Sequence, residues 1–132
     1  MKTKTTTAWE RDQEFKSFHG NNEIRLDGNK TKGFGPKALL LSALAACSGI
    51  DVVDILTKMR VEFSALEIDT EAEQTTELPK VFKDITITYK LKTDKANEEK
   101  IRKAIDLSLN KYCGVSAMLK KNSAIHYNLQ LQ

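Results

Sequence analysis

The side chains best suited to chemistry in this chain are two cysteines, Cys47 and Cys113, and two histidines, His19 and His126. A thiolate is a nucleophile, a metal ligand or a redox partner, and the surroundings of the sulfur decide which. Cys47 stands in Leu39-Leu-Leu-Ser-Ala-Leu-Ala-Ala-Cys47-Ser-Gly-Ile-Asp51, the most apolar run present. Two readings of it stand side by side: a small hydrophobe packed among Ala45, Ala46 and Ile50, or a nucleophile set where the run turns polar. Asp51, one turn on, opposes a thiolate if it points the same way, and Arg11, Arg25 and Lys37 are the cations available to offset it. Cys113 is followed by Gly114 and a possible helix start, where amides pointing at sulfur favour the thiolate. A zinc site from Cys47, Cys113, His19 and His126 lacks the short paired spacings of structural zinc sites, so no metal is expected. His19 beside Gly20 reads as a solvated turn residue, and His126 as a strand residue on its polar face. No phosphate loop or dinucleotide fingerprint occurs.

The elements that must hold these residues follow from periodicity. His19-Gly-Asn-Asn and Asp27-Gly-Asn are hairpin signals, so short strands are expected near 3–10, 13–18 and 22–27, a three-stranded meander. Gly33-Phe34-Gly35-Pro36 connects it to a helix over 36–60, with Pro36 suited to a first turn and Phe34 a staple or a pocket lip. That helix is apolar on most of its circumference, but crossing a bilayer takes roughly 20 apolar residues and this run ends at Asp51 and Asp54. It reads as a core helix. The stripe Leu40, Leu44, Cys47, Asp51, Asp54, Lys58 turns polar past the cysteine. Strands are expected over 61–72 and 81–91, paired as a hairpin. An amphipathic helix follows, capped at Asn97 with Ile101, Ala104, Ile105, Ser108, Leu109 and Tyr112 on one face. A further turn or short helix over 115–121 and a strand over 125–131 close the chain.

The expected class is α+β, a single domain over 1–132, because no strand–helix–strand period is sustained. One sheet and one further helix cannot cover a helix as apolar as 36–60, which points to a homodimer. The net charge of +3 comes from 21 basic and 18 acidic residues with no basic stripe, which argues against a nucleic-acid partner. The opening Met-Lys-Thr-Lys-Thr-Thr-Thr-Ala-Trp carries no apolar signal core, so the expected location is cytoplasmic. Thiols there rest reduced, so the cysteines are inert or catalytic before they are a structural disulfide.

Three blocks of this sequence together resemble one family. They are Gly35-Pro36 with Leu39 through Cys47-Ser-Gly-Ile-Asp-Val-Val-Asp-Ile-Leu-x-Lys-Met-Arg60; Pro79-x-x-Phe82-x-x-Ile85; and Ala104-Ile105-x-Leu107-Ser108-x-x-Lys111-Tyr112-Cys113-x-Val115. The chain is similar, over nearly its whole length, to the OsmC/Ohr family of thiol peroxidases, in its OsmC-like branch. The resemblance implies an intertwined homodimer with two curved sheets around paired central helices and a site at the subunit interface. It implies reduction of organic hydroperoxides without a cofactor, Cys47 as peroxidatic nucleophile, Cys113 as resolving thiol and an external dithiol as reductant. Phe34, Leu40 and Leu44 would line the site and favour an organic peroxide. In the family an arginine holds the thiolate and a glutamate in the first turn of the cysteine helix holds the arginine. The arginine falls at Arg11, but the glutamate position is Lys37, a departure that makes a binding protein or a thiol redox sensor the rival readings. Lys37 is itself a candidate for the cation.

Overall fold

The computed structural model describes residues 1–132, which form two compact units, 1–40 and 41–132. In the first unit three antiparallel strands, β1 (Thr6–Arg11), β2 (Glu14–His19) and β3 (Asn22–Asp27), pair in chain order as the expected meander. His19-Gly-Asn-Asn closes the second hairpin as expected, whereas Asp12-Gln13 closes the first and Asp27-Gly-Asn leads into the connector instead of a hairpin. Gly20 closes the second hairpin at φ +60°, where a residue without Cβ meets no steric penalty. Asp27 then organises the connector to the first helix. Its buried carboxylate accepts from the amides of Asn29, Thr31 and Lys32 and from the Thr31 hydroxyl, at 2.9 to 3.3 Å. The Asn29 amide bond, with those of Lys32 and Thr31, outweighs burial and holds this carboxyl below the usual carboxylate range. Phe34 is stitched back to β3 through Asp27 N–H to Phe34 O at 2.9 Å and Phe34 N–H to Arg25 O at 3.2 Å.

Helix α1 (Pro36–Lys58) begins at the proline and stops two residues before the expected Arg60. Arg60 takes φ 59°, and the amides of Arg60 and Val61 bond back to Thr57 O and Leu56 O. That is a Schellman stop, here made without glycine and sealed by the buried pair Leu56 and Val61. By length and composition α1 is long and apolar enough to cross a membrane; its buried residues are Leu44, Ser48, Gly49, Val52 and Leu56, which form one stripe that faces the rest of the second unit.

The second unit is built on a sheet of β4 (Ser64–Gln74), β5 (Phe82–Lys92) and β6 (Ala124–Leu131), in that order. β4 begins three residues later than the period-2 pattern suggests and runs on to Gln74. β4 and β5 form the expected antiparallel hairpin, while β6 pairs parallel to β5. A parallel neighbour needs a crossover. It comprises a 3-10 turn (Lys95–Asn97), α2 (Glu98–Leu107), a π turn (Ser108–Tyr112) and α3 (Gly114–Leu119). Asn97 does not cap α2 with its side chain, which donates instead to Thr93 Oγ1 at 3.1 Å; Asp94 caps the 3-10 turn. The inward face of β5, Ile85, Ile87, Tyr89 and Leu91, meets Leu44, Val52 and Leu56 of α1 and Ile101, Ala104 and Ile105 of α2 in one core. Gly49 lets α1 approach β4 closely: a Cβ there would stand 3.0 Å from Ile68 Cδ1.

Candidate functional site

Both cysteines are free and both belong to the second unit. Cys47 sits at mid-helix, half buried against the core; Cys113 is buried at the break between the π turn and α3. Extended backbone at Cys113 (φ −75°, ψ 105°) ends the π turn and turns the sulfur back to accept the Ser116 amide at 3.3 Å. Burial is the main reason that the Cys113 thiol is pushed above its ordinary range, and its hydrogen bond to Cys47 acts in the same direction. Cys47 is thus among the groups close enough to act on the Cys113 thiol. The amide at the start of α3 does favour the Cys113 thiolate, as the Gly114 context suggests, but burial and Cys47 outweigh it.

The π turn explains how Cys113 reaches that place. An uninterrupted helix would carry Tyr112 on the buried face with Ile101, Ala104, Ile105 and Leu109. The wider turn, closed by the Cys113 amide on Ser108 O at 2.7 Å, inserts one residue, leaving Tyr112 exposed and Cys113 inside. Ser116 Oγ and Lys120 Nζ donate to Leu109 O at 3.2 and 2.6 Å, covering a carbonyl that the π turn frees.

Next to the thiols runs a hydrogen-bonded chain that sequence reasoning missed. Tyr89 Oη lies 2.6 Å from Ser48 Oγ; Ser48 Oγ lies 2.9 Å from Ser108 Oγ; and Ser108 Oγ donates to Asp51 Oδ2 at 2.8 Å. The three hydroxyl-bearing residues have no solvent exposure, while Asp51 is half exposed. Burial pushes the Tyr89 phenol up to about 12, against the Ser48 hydrogen bond, which acts the other way. Asp51, which would oppose a Cys47 thiolate if it pointed the same way, is engaged by Ser108. It opens on a cleft of about 470 Å³ lined also by Ile55, Met59, Leu107 and Tyr112.

The other predicted residues are placed as follows. Leu44 is wholly buried and presents no surface to a ligand, whereas Leu40 and Phe34 are exposed and Lys37 is half buried. Arg11, in the first unit, donates to Glu14 Oε1 at 3.2 Å, and Arg25 bonds Glu10 at 2.8 Å with Glu14 at 3.7 Å. Glu14 is the buried carboxylate that holds Arg11. The signal for it was the tight turn at Asp12-Gln13, which brings residues three apart together across a hairpin. His19 lies at the exposed end of β2, and His126 pairs with Asp84 at 3.4 Å on β6. No three His, Cys, Asp or Glu side chains converge on a point.

Comparison with known proteins gives a consistent result. A family model described as OsmC-like protein matches residues 27–128. The chain is 32% identical over 111 residues to protein YhfA of Escherichia coli K12, covering 83% of each. Its fold superposes on an OsmC-like protein from Mycoplasma pneumoniae with TM-score 0.86 at 22% identity, over 99% of this chain and 97% of the other. The organic hydroperoxide resistance protein OhrB of Bacillus subtilis superposes with TM-score 0.65 at 20% identity, over 100% and 98%. These two likenesses concern the fold.

Proposed function

The chain belongs to the OsmC-like family, and on that premise we propose that it is a thiol peroxidase that reduces organic hydroperoxides, with Cys47 as nucleophile and Cys113 as resolving thiol. The observation that carries the reading is that Cys113 and Cys47 lie close enough for Cys47 to raise the Cys113 thiol, one half buried on α1 and the other buried at a helix break. A thiol placed on a helix break can move without unfolding an element, which is what closing and opening a disulfide requires. The name of OhrB, whose fold this chain shares, lends the substrate class.

The chemistry runs in three steps. The Cys47 thiolate attacks the distal oxygen of the hydroperoxide, the O–O bond breaks, and the alkoxide leaves and takes a proton to become an alcohol. Cys47 is then a sulfenic acid. Cys113 attacks that sulfur; the S–O bond breaks, water leaves and the Cys47–Cys113 disulfide forms. An external dithiol reduces it by exchange. The reading supposes a reducing compartment such as the cytoplasm. The cation that the family resemblance assigns to the thiolate is Arg11, which within its own unit is held by Glu14 at 3.2 Å. Phe34 and Leu40 are assigned to the organic part of the peroxide.

A homodimer belongs to the same proposal. Ile50 and Val53 are 64% and 38% exposed on α1, beside the small residues Ala46 and Gly49, in a groove of about 560 Å³ that reaches Leu66 and Ile68. A second copy of this apolar helix face is the occupant that suits it. Lys37 motivates the rival reading, a dimeric small-molecule-binding protein without efficient turnover; a third reading is a redox sensor in which the disulfide forms without sustained turnover.

The test is to incubate reduced protein with cumene hydroperoxide and a dithiol. Expected are continued peroxide consumption, its loss in Cys47→Ser, and a mass decrease of about 2 Da on single oxidation of the wild type. Disulfide formation without turnover would select the sensor, and neither event would overturn both thiol readings.

A further inference from the structure

The hydrogen-bonded chain from Tyr89 to Asp51 has no part in the peroxidase steps above, although it lies against both cysteines. Its geometry is specific. Ser48 is next to Cys47 in sequence and Asp51 is one turn further along α1, so Ser48 and Asp51 mark the helix turn that presents the Cys47 sulfur. Ser108 is the first residue of the π turn, and its carbonyl accepts the Cys113 amide at 2.7 Å. Ser108 thus holds Cys113 through its backbone and the Cys47 turn through its side chain. Tyr89 anchors the chain in the middle strand of the sheet, braced by an edge-on contact with Tyr127 at 6.0 Å.

The protons along this chain have an order. Ser108 carries one hydroxyl hydrogen and has three acceptors in reach, Asp51 Oδ2 at 2.8 Å, Ser48 Oγ at 2.9 Å and, more distant, Ser48 O at 3.5 Å. An ionised carboxylate only accepts, so the Ser108 hydrogen goes to Asp51. Ser48 then donates to Ser108, and Tyr89 donates to Ser48. Each buried hydroxyl donates once and is satisfied, and the sequence ends on a charge at the edge of the cleft. Hydrogen bonds ending on an ionised group are the strong ones, and buried networks that are fully satisfied fix a single arrangement.

We propose that Ser108, held by Ser48 and Asp51, is a positioning residue for the resolving step: it locks the π turn that carries Cys113 to the helix turn that carries Cys47. The inference rests on the dithiol reading above. The step it serves is Cys47–SOH plus Cys113–SH giving the disulfide and water: the Cys47 sulfur is reduced, the Cys113 sulfur is oxidised, and the Cys113 proton leaves with the sulfenic hydroxyl. Without the lock the step stays chemically available, but Cys113 spends less time in reach. Cys47 then waits as sulfenic acid and is exposed to a second peroxide.

The experiment compares wild type, Ser108→Ala, Asp51→Asn and, as a stability control off the chain, Val61→Ala. Reduced protein is mixed with one equivalent of cumene hydroperoxide, and sulfenic acid, disulfide and sulfinic acid are followed by dimedone trapping and intact mass. Separately, the Cys47–Cys113 disulfide is equilibrated in glutathione buffers. For Ser108→Ala the expected result is Cys47 oxidation within about twofold of wild type and disulfide closure slowed about tenfold. That factor corresponds to one hydrogen bond to a charged group. The glutathione equilibrium should shift by the same factor, about 30 mV, and sulfinic acid should accumulate. Asp51→Asn keeps an acceptor without the charge and should slow closure about threefold; it decides the matter if Ser108→Ala does not fold.

A merely structural role would lower stability in Val61→Ala and Ser108→Ala alike without changing the split between disulfide and sulfinic acid. Wild-type closure rates in Ser108→Ala, or slowing no greater than in Val61→Ala, would overturn the proposal. If the peroxide fails to oxidise wild-type Cys47, the peroxidase reading falls and the glutathione equilibrium still tests the lock.

Discussion

Ser48 is the residue whose loss should be felt most sharply for its size. Its hydroxyl is the one hydrogen-bond partner of the Tyr89 hydroxyl, and both residues have no solvent exposure. Replacing Ser48 by alanine strands the phenol, which costs about 1–3 kcal/mol, and removes the link to Ser108, about 1 kcal/mol more. Alanine returns roughly 0.5 kcal/mol through its higher helix propensity. The net expectation is a loss of about 1.5–3.5 kcal/mol. Tyr89→Phe removes the phenol itself and leaves Ser48 bonded to Ser108, so it should cost only about 1 kcal/mol. The informative species is the double variant. With no phenol left to strand, Ser48→Ala/Tyr89→Phe should be more stable than Ser48→Ala alone, with a coupling of about 1–2 kcal/mol between the sites. Guanidinium unfolding of reduced protein, at one fixed protein concentration, measures all four corners of the cycle. If the double variant is less stable than Ser48→Ala by the full penalty of Tyr89→Phe, the two residues are independent and the reasoning about the buried chain is wrong.

Three further outcomes follow from the same structure. Because the folded Tyr89 phenol titrates near 12 and an unfolded tyrosine near 10, the unfolded state releases its proton first as pH rises; stability contributed below about pH 10 is lost between about 10 and 12, by about 2–3 kcal/mol in total. Unfolding free energies from pH 9 to 12 should show this slope in wild type and a shallower one in Tyr89→Phe, and equal slopes would refute the assignment. Ile50→Glu places a charge in the apolar groove of α1, and sedimentation should show a dimer in wild type and a monomer in the variant; an unchanged mass would remove this face from the proposed interface. Gly49→Leu drives a branched side chain toward Ile68, where even a Cβ is at 3.0 Å, and should cost about 1–3 kcal/mol by thermal melting.

Much of the architecture was readable along the chain because it is local. Pro36 marks the start of α1, turn residues divide the meander, and the alternation of Ile85, Ile87, Tyr89 and Leu91 announces the inward face of β5. Other features were not local and were not readable. The apolar spacing from Ile101 to Tyr112 continues smoothly as an α-helix, and nothing in it signals a π turn. Only the packing of Ser108 against Ser48 and Asp51, with Ser116 and Lys120 covering Leu109 O, makes the wider turn the better arrangement. Glu14 was overlooked as the partner of Arg11 because a carboxylate was sought at position 37, whereas a two-residue turn supplied one.

The sequence by itself determined which residues can do chemistry and on what elements they ride: a cysteine at mid-helix in an apolar run, a second cysteine ahead of a glycine, and the periodicities that set the α+β order. Periodicity and turn chemistry act within a few residues, so they survive in one dimension. The tertiary structure decided that β6 runs parallel to β5, that Cys113 rather than Tyr112 turns inward, and that hydroxyls 41 and 60 residues from Ser48 meet it in one chain. Those outcomes depend on burial. Once a hydroxyl or a thiol is out of water it must find a partner in space, and that partner is chosen by packing between elements rather than by spacing along the chain.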